Sequence, residues 1–152
     1  MKQLKNIKKK LEWEKFYDPD FNWNNPIFYF DNDLSEDFIR EFQNKVEWYY
    51  VAFYQTLSEN FIREFQDKIN NWRGISSSQK LSENFIREFQ DKVDWMYISE
   101  YQTLSEDFIR EFQDKVNWYF ISEHQKLSED FKKEFKKELR TIKDFKKELR
   151  TL

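Results

Sequence analysis

Few residues of this chain have side chains that could perform catalysis. His124 is the only histidine and there is no cysteine, so disulfides and thiolate chemistry are excluded. A histidine that acts as a general base needs oriented partners, and no nucleophile or zinc-binding motif is present. A single glycine cannot build a loop that cradles a dinucleotide. We therefore predict that the protein is not an enzyme, that it uses no cofactor, and that His124 is an exposed substituent.

Adjacent carboxylates are the remaining candidates for a site that does chemistry. Glu36-Asp37 is the kind of acidic pair that could bind Mg²⁺. The pair follows Ser35 at the predicted start of a helix, where the helix dipole favours carboxylates whether or not a metal is bound. We therefore predict no metal site.

The elements that carry these residues belong to a tandem repeat of about two dozen residues. Successive copies are spaced by 23, 24, 23 and 23 residues, and the fifth soon diverges. They begin at Leu34, Leu57, Leu81, Leu104 and Leu127. A fixed period of this length indicates a stack in which each copy buries its apolar face against its neighbours. The fold class we predict is all-α, a solenoid-like stack of short helical hairpins.

The first helix of each copy is marked by its cap and its apolar spacing. In the first copy we predict a helix from about Ser35 to Val46, with Ser35 as the N-cap. Leu34 and Ile39 occupy the two positions of a hydrophobic staple. Glu36 precedes Arg40 by four residues and Glu41 precedes Lys45 by four, which is the better orientation for ion pairs on a helix.

A second helix of about two turns follows in each copy. Asp94 and Asn117 stand directly before Trp95 and Trp118 as N-caps. So short a helix is not stable alone and must be held by packing. The second copy differs most, because Asn70-Asn71 adds a residue and Arg-Gly and three serines replace the aromatic residues. We predict a kink or a loosened helix there.

The two ends of the chain differ from the repeats, as terminal units of stacks usually do. We divide the chain into an N-terminal cap at 1–33, four repeats at 34–126 and a basic amphipathic helical cap at 127–152, all in one structural domain. In the N-terminal cap, Trp13, Trp23, Phe28 and Phe30 are available to cover the first hairpin. Phe21-Asn22-Trp23 is interpreted as a decayed second helix.

The distribution of charge bears on nucleic acids and membranes. Residues 1–33 are neutral, residues 34–126 carry a net charge of -6 and residues 127–152 carry +3. Acidic repeats oppose binding to a phosphate backbone. No apolar run approaches the roughly 20 residues of a membrane span, and no apolar segment follows the Lys-rich start as it would in a secretory signal. We predict no membrane association and a cytoplasmic location.

The segment Leu-Ser-Glu-Asp-Phe-Ile-Arg-Glu-Phe-Gln-Asp-Lys-Val-Asn-Trp, residues 104–118, resembles a tandem repeat of uncharacterised proteins from giant viruses, phages and some bacteria. The resemblance covers about residues 34–135. It implies a viral or mobile-element context. It brings no catalytic residue with it.

Sequence variation between copies is concentrated in the second helices, while the first helices are almost identical. In a stack, equivalent positions form rows, and a varied row on a fixed framework is typical of a surface that recognises a partner. The alternative is that these positions pack between copies and vary by drift. A surface position is favoured for residues 53, 77, 100 and 123. The partner-binding candidates are Tyr50, Phe53, Tyr54, Arg73, Met96, Tyr97, Glu100, Tyr101, Phe120 and His124.

These patterns favour a non-enzymatic protein-interaction module. A concrete form is a viral or phage inhibitor that binds a host protein, such as a component of antiviral defence. A second hypothesis is nucleic-acid or nucleotide binding through the basic C-terminus and exposed aromatic residues. A third is a structural array that assembles with itself.

Overall fold

The described part of the chain is helical throughout. The computed structural model describes residues 13–139, and every regular element among them is a helix. This confirms the all-α prediction. The described residues fall into two compact units, 13–47 and 48–139.

The first unit contains a 3-10 helix and two α-helices. They are the 3-10 helix Glu14–Tyr17, α1 at Pro26–Asp31 and α2 at Glu36–Glu41. Aromatic rings fill its centre. The Phe16 ring lies 4.9 Å from that of Phe38, and the Trp23 ring lies 5.2 Å from that of Phe42. Phe30 was expected to help cover the hairpin, but its side chain is 72% exposed.

The decayed second helix lies later in the chain than predicted. Phe21-Asn22-Trp23 forms turns, and the helix is α1, which begins at Pro26 with Asn25 as its N-cap. Proline suits this first position because its fixed φ is helical and the N–H that it lacks has no helical partner there. Tyr29 of α1 is fully buried. Its hydroxyl accepts from Glu47 N–H at 2.7 Å and donates to the Trp23 carbonyl at 2.9 Å.

The second unit alternates first and second helices of successive copies. The second helices are α3 at Trp48–Tyr54, α5 at Trp72–Ser78, α7 at Trp95–Tyr101 and α9 at Trp118–His124. The first helices are α4 at Glu59–Glu64, α6 at Glu83–Glu88, α8 at Glu106–Glu111 and α10 at Glu129–Glu134. Consecutive second helices pack side by side in one row. The unit is therefore the predicted stack of short helical hairpins.

The first helices are shorter than the sequence predicted. The helix that we expected from about Ser35 to Val46 ends at Glu41, and the chain continues as a turn. Val46 N–H still bonds the carbonyl of Phe42, four residues earlier, at 3.0 Å. Its side chain is therefore buried as it would be in a longer helix. The apolar spacing of four residues does not distinguish the two conformations.

The predicted caps are confirmed in the first and second helices. The Ser58 hydroxyl accepts from the Phe61 N–H, and the Asp94 carboxylate accepts from the N–H groups of Met96 and Tyr97. Asn117 caps α9 in the same way as Asp94 caps α7. Each cap satisfies amide groups that have no partner inside a helix.

The second copy is neither kinked nor loosened, contrary to expectation. Its second helix α5 has seven residues, as do its equivalents α7 and α9. Asn71 supplies the N-cap, and its side chain accepts from Gly74 N–H at 2.9 Å. The inserted residue is absorbed before the helix begins.

Candidate interaction surface

A ladder of glutamines fixes the row of second helices. A rung is the set of three bonds that one glutamine makes to the main chain: two to carbonyls of the preceding copy and one to the N–H of the leucine that begins its own copy. Gln102 accepts from Leu81 N–H at 3.0 Å and donates to the carbonyls of Ser76 at 2.9 Å and Gln79 at 2.8 Å. Gln79 and Gln125 make the same three bonds one copy earlier and one copy later.

A second polar row supports the ladder. The Ser99 hydroxyl donates to the Trp95 carbonyl at 2.7 Å and accepts from Asn117 N–H of the next copy at 2.8 Å. Ser76 bonds Trp72 and Asp94 in the same way. Both hydroxyl groups belong to fully buried residues. The row therefore fixes the point along each second helix at which the next second helix begins.

Aromatic stacking ties each second helix to the first helix of the next copy. The Trp95 ring lies 4.9 Å from that of Phe112, and the Trp118 ring lies 4.9 Å from that of Phe135. Both phenylalanines are buried. These contacts leave the opposite side of each second helix as the outer face, which is where the sequence varies.

All ten predicted partner-binding residues lie on the four second helices, and none is buried. Six are exposed: Phe53, Tyr54, Arg73, Met96, Tyr101 and His124. Four are half-buried: Tyr50, Tyr97, Glu100 and Phe120. The structure adds two exposed aromatic residues that we had not selected, Tyr49 at 51% and Tyr119 at 42%. Each stands next to an aromatic residue that we had selected, Tyr50 and Phe120 respectively, and this pairing was the signal that could have identified them.

Aromatic pairs one helical turn apart recur along this face. The rings of Tyr97 and Tyr101 are stacked at 5.9 Å. Equivalent pairs are Tyr50 with Tyr54 at 6.2 Å and Phe120 with His124 at 5.9 Å. The second copy has Gly74 and Ser78 at these two positions. The face is therefore interrupted at its second copy.

Polar groups modify the aromatic face in the third copy. The Arg73 guanidinium lies 4.6 Å from the centre of the Tyr97 ring and donates to its hydroxyl. A hydrogen bond to the Glu100 carboxylate raises the pKa of Tyr101. The face can therefore offer a partner aromatic rings and a guanidinium, which are enriched at interfaces, together with one carboxylate.

The cations of the first helices are engaged within the stack. Arg87 donates to Glu111 of the next copy at 2.8 Å, and its guanidinium lies 4.9 Å from the Phe108 ring. Arg63 and Arg110 repeat both contacts with their own next copies. Glu88 binds Arg63 of the preceding copy, and Lys92 donates to Gln66 of the preceding copy.

Glu59 links two copies through a carboxylate that is more acidic than usual. Burial raises its pKa, but the hydroxyl and N–H of Ser82 and the Arg63 guanidinium outweigh that effect, and its pKa is lowered. The Ser82 N–H donates to it at 2.6 Å. Glu83 and Glu106 accept from the equivalent serines of the following copies.

Replacing Glu59 with glutamine is expected to lower the Tm at pH 7 by about 2–4 °C, because a charge-assisted hydrogen bond becomes a neutral one. A carboxyl whose folded-state pKa is lowered contributes stability above its unfolded pKa of about 4.3. That contribution is lost as the pH falls through the folded-state pKa. The Tm of Glu59→Gln should therefore fall less steeply with acid than that of the parent. Asp67→Asn, at an exposed position, is the matched control, and an equal effect in both variants would contradict the assignment.

No group of three or more potential metal-ligating side chains comes together within residues 13–139. No helix in that part of the chain has the length and apolar character needed to cross a membrane.

The outer face of the second helices is the candidate interaction surface. Comparison with family models, with curated proteins and with solved structures gives no match to this chain.

Proposed function

We propose that the protein is a non-enzymatic interaction module that binds a partner protein through the outer face of its second helices. The observation that carries this proposal is the aromatic cluster on α3. Tyr49, Phe53 and Tyr54 are 51%, 43% and 41% exposed. Their rings and that of Tyr50 form a connected series with centroids 5.1–6.2 Å apart. Contiguous exposed aromatic residues of this kind mark protein-interaction sites.

The difference between the unchanged and the varied positions within each copy supports the same function. The first helices and the glutamine ladder repeat almost without change, because they hold the stack together. The outer positions carry Phe53, Ser77, Glu100 and Glu123 in one row and Tyr54, Ser78, Tyr101 and His124 in the next. A fixed frame that displays varied side chains suits recognition of one particular partner surface.

The partner that we propose is a host protein, with a component of antiviral defence as the concrete case. The resemblance of residues 34–135 to repeats of viral and phage proteins supports this version. An inhibitor needs only a rigid surface that occupies its target, and the stack supplies such a surface without an active site.

The test compares capture of host proteins by two forms of the tagged full chain. The parent is expected to enrich a specific protein from a plausible host, and the triple variant Tyr49→Ser, Phe53→Ser, Tyr54→Ser to lose at least 90% of it. Anchor residues at an interface typically contribute 2 kcal/mol or more each, which is about thirtyfold in affinity at 25 °C.

The matched control carries Asp67→Ser and Asp114→Ser, two exposed substitutions outside the second helices. Circular dichroism should show that both variants keep the parent's helix content. The proposal fails if no protein is enriched from any plausible host, or if the control loses the same protein as the triple variant.

Nucleic-acid binding and self-assembly remain the alternative predictions. A mobility shift with RNA or DNA that weakens steeply with salt would favour the first, because counterions are released when phosphates are bound. The described cations Arg63, Arg87 and Arg110 already contact carboxylates. Light scattering that rises with protein concentration would favour the second.

A further inference from the structure

The glutamine ladder has three complete rungs in the second unit and then stops. Gln79 joins the second copy to the first, Gln102 the third to the second and Gln125 the fourth to the third. In each case two carbonyls of the earlier copy and the N–H of the leucine directly after that copy are satisfied. The fourth copy and Leu127 directly after it present the same three groups, and among residues 13–139 no glutamine bonds them.

The three groups at this end are Leu127 N–H, the Ser122 carbonyl and the Gln125 carbonyl. Within the described part of the chain, none of the three makes a hydrogen bond. The Ser122 hydroxyl donates to the Tyr119 carbonyl at 2.8 Å but receives no N–H there, whereas that of Ser99 receives one from the next copy.

Burial follows the same pattern as hydrogen bonding. Ser99 and Gln102 of the third copy are 0% and 6% exposed, and Leu104 directly after that copy is 8% exposed. Their equivalents one copy later, Ser122, Gln125 and Leu127, are all half-buried. The end of the row is therefore a surface with the shape and hydrogen-bonding groups of an interior contact.

The chemistry of a suitable occupant is defined by the three rungs that already exist. It is a two-turn helix whose C-cap is a glutamine and whose N-cap residue donates its N–H to the serine hydroxyl. Gln125 and the Asn117 N–H make these contacts with the third copy. A different side chain fits less well, because only an amide can accept one bond and donate two at the same end.

Neither the rest of the repeat region nor a second molecule of this protein supplies that glutamine amide. Residues 127–152 contain no glutamine. Gln79, Gln102 and Gln125 each make three bonds within their own stack. A second molecule of this protein would therefore have to break one of its own rungs in order to complete the missing one.

We propose that the exposed end of the second-helix row, formed by Ser122, Gln125 and Leu127, is a docking site for a partner-protein helix that ends in glutamine. The partner helix extends the row by one element and forms the missing rung. Its glutamine accepts from Leu127 N–H and donates to the two carbonyls, while an amide of its first turn donates to the Ser122 hydroxyl. This site is separate from the outer aromatic face.

The probe for this site is a synthetic peptide with the sequence of residues 94–104 of this chain, Asp-Trp-Met-Tyr-Ile-Ser-Glu-Tyr-Gln-Thr-Leu. It contains a second helix, its N-cap and its glutamine. A control peptide has leucine in place of that glutamine. Because so short a peptide is only marginally helical in water, it is titrated to millimolar concentration against the ¹⁵N-labelled full chain.

The parent peptide is expected to produce a saturable shift of the Leu127 amide signal and to slow its hydrogen exchange at least tenfold. The control peptide should do neither, and Ser122→Ala should weaken binding of the parent peptide. The variant Tyr49→Ser, Phe53→Ser, Tyr54→Ser should bind the parent peptide unchanged, because its substitutions lie on the other surface.

Four outcomes would overturn the proposal. The Leu127 amide of the free chain exchanges as slowly as that of Leu104, which means that the chain already covers the site. The two peptides bind equally well, or the parent peptide does not bind at all. Light scattering shows that the free chain forms dimers, and dimerisation protects the Leu127 amide from exchange. A second molecule of this protein is then the occupant.

Discussion

Replacing Gln102 with leucine is expected to lower the free energy of unfolding by roughly 3–6 kcal/mol, because three main-chain groups lose their partners and each buried group left unsatisfied costs about 1–3 kcal/mol. Gln102 is only 6% exposed, so water cannot easily replace the lost side-chain amide. Natural domains have only about 5–15 kcal/mol of stability. This single change therefore removes a large fraction of the stability of a typical domain.

Urea unfolding followed by circular dichroism measures the effect, and hydrogen exchange at the Leu81 amide localises it. The matched control is Gln113→Leu, the same chemical change at an exposed position, where a shift within about 0.5 kcal/mol is expected. Equal losses in the two variants would show that the ladder does not hold the copies together.

Gln125→Leu provides a graded comparison with Gln102→Leu. It removes the same three hydrogen bonds, but Gln125 is half-buried. Water can reach part of the rung, so the loss should be roughly half as large, about 1.5–3 kcal/mol. A loss as large as that of Gln102→Leu would mean that burial does not set the cost of breaking a rung.

Replacing Gly74 with alanine is expected to destabilise the protein by about 1–3 kcal/mol, the usual cost of overpacking a buried site. In an ordinary helix the same change stabilises by roughly 0.5–1 kcal/mol. A Cβ at position 74 would lie 2.7 Å from Asn71 Nδ2 and 3.3 Å from the Phe53 Cα. The Asn71 side chain cannot easily move, because its amide also donates to the Tyr49 carbonyl at 3.2 Å.

A double-mutant cycle with Asn71→Ser tests the cause of that destabilisation. Serine is also a good N-cap, but its shorter side chain leaves room for a Cβ at position 74. The pair Asn71→Ser, Gly74→Ala should be more stable than the sum of the single changes predicts, by about 1 kcal/mol. Ser78→Ala, at an exposed position on the same helix, is the control and should change stability little. Strict additivity of the pair would contradict the steric explanation.

The first part of the fold could be predicted because its causes are local. A serine three residues before a phenylalanine, and an aspartate or asparagine before a tryptophan, place the helix starts with good accuracy. The length of the first helix could not be predicted in this way. Val46 reaches the core through a turn as well as it would through a helix, so the apolar period is the same in both cases.

The placement of the varied residues was predicted better than the framework that holds them. The ten varied residues are on the second helices and are exposed or half-buried, as a recognition face requires. The unchanged glutamine at the end of each second helix was a visible signal of the ladder, but its partners lie 21–27 residues away. Nothing in a single copy indicates which main-chain groups a conserved-looking polar residue will bond.

Sequence alone therefore determined the repeat, the helical class, the positions of the caps and the location of the variable face, because each depends on residues within one copy. Tertiary structure alone decided how the copies join. It directs Glu88 to Arg63 of the preceding copy, places Gln102 against two carbonyls of the preceding copy and the Leu81 N–H and explains the single glycine by the Asn71 side chain above it. The contacts of Glu88 and Gln102 arise between residues about one period apart, where the geometry of packing and not the local pattern chooses the partner.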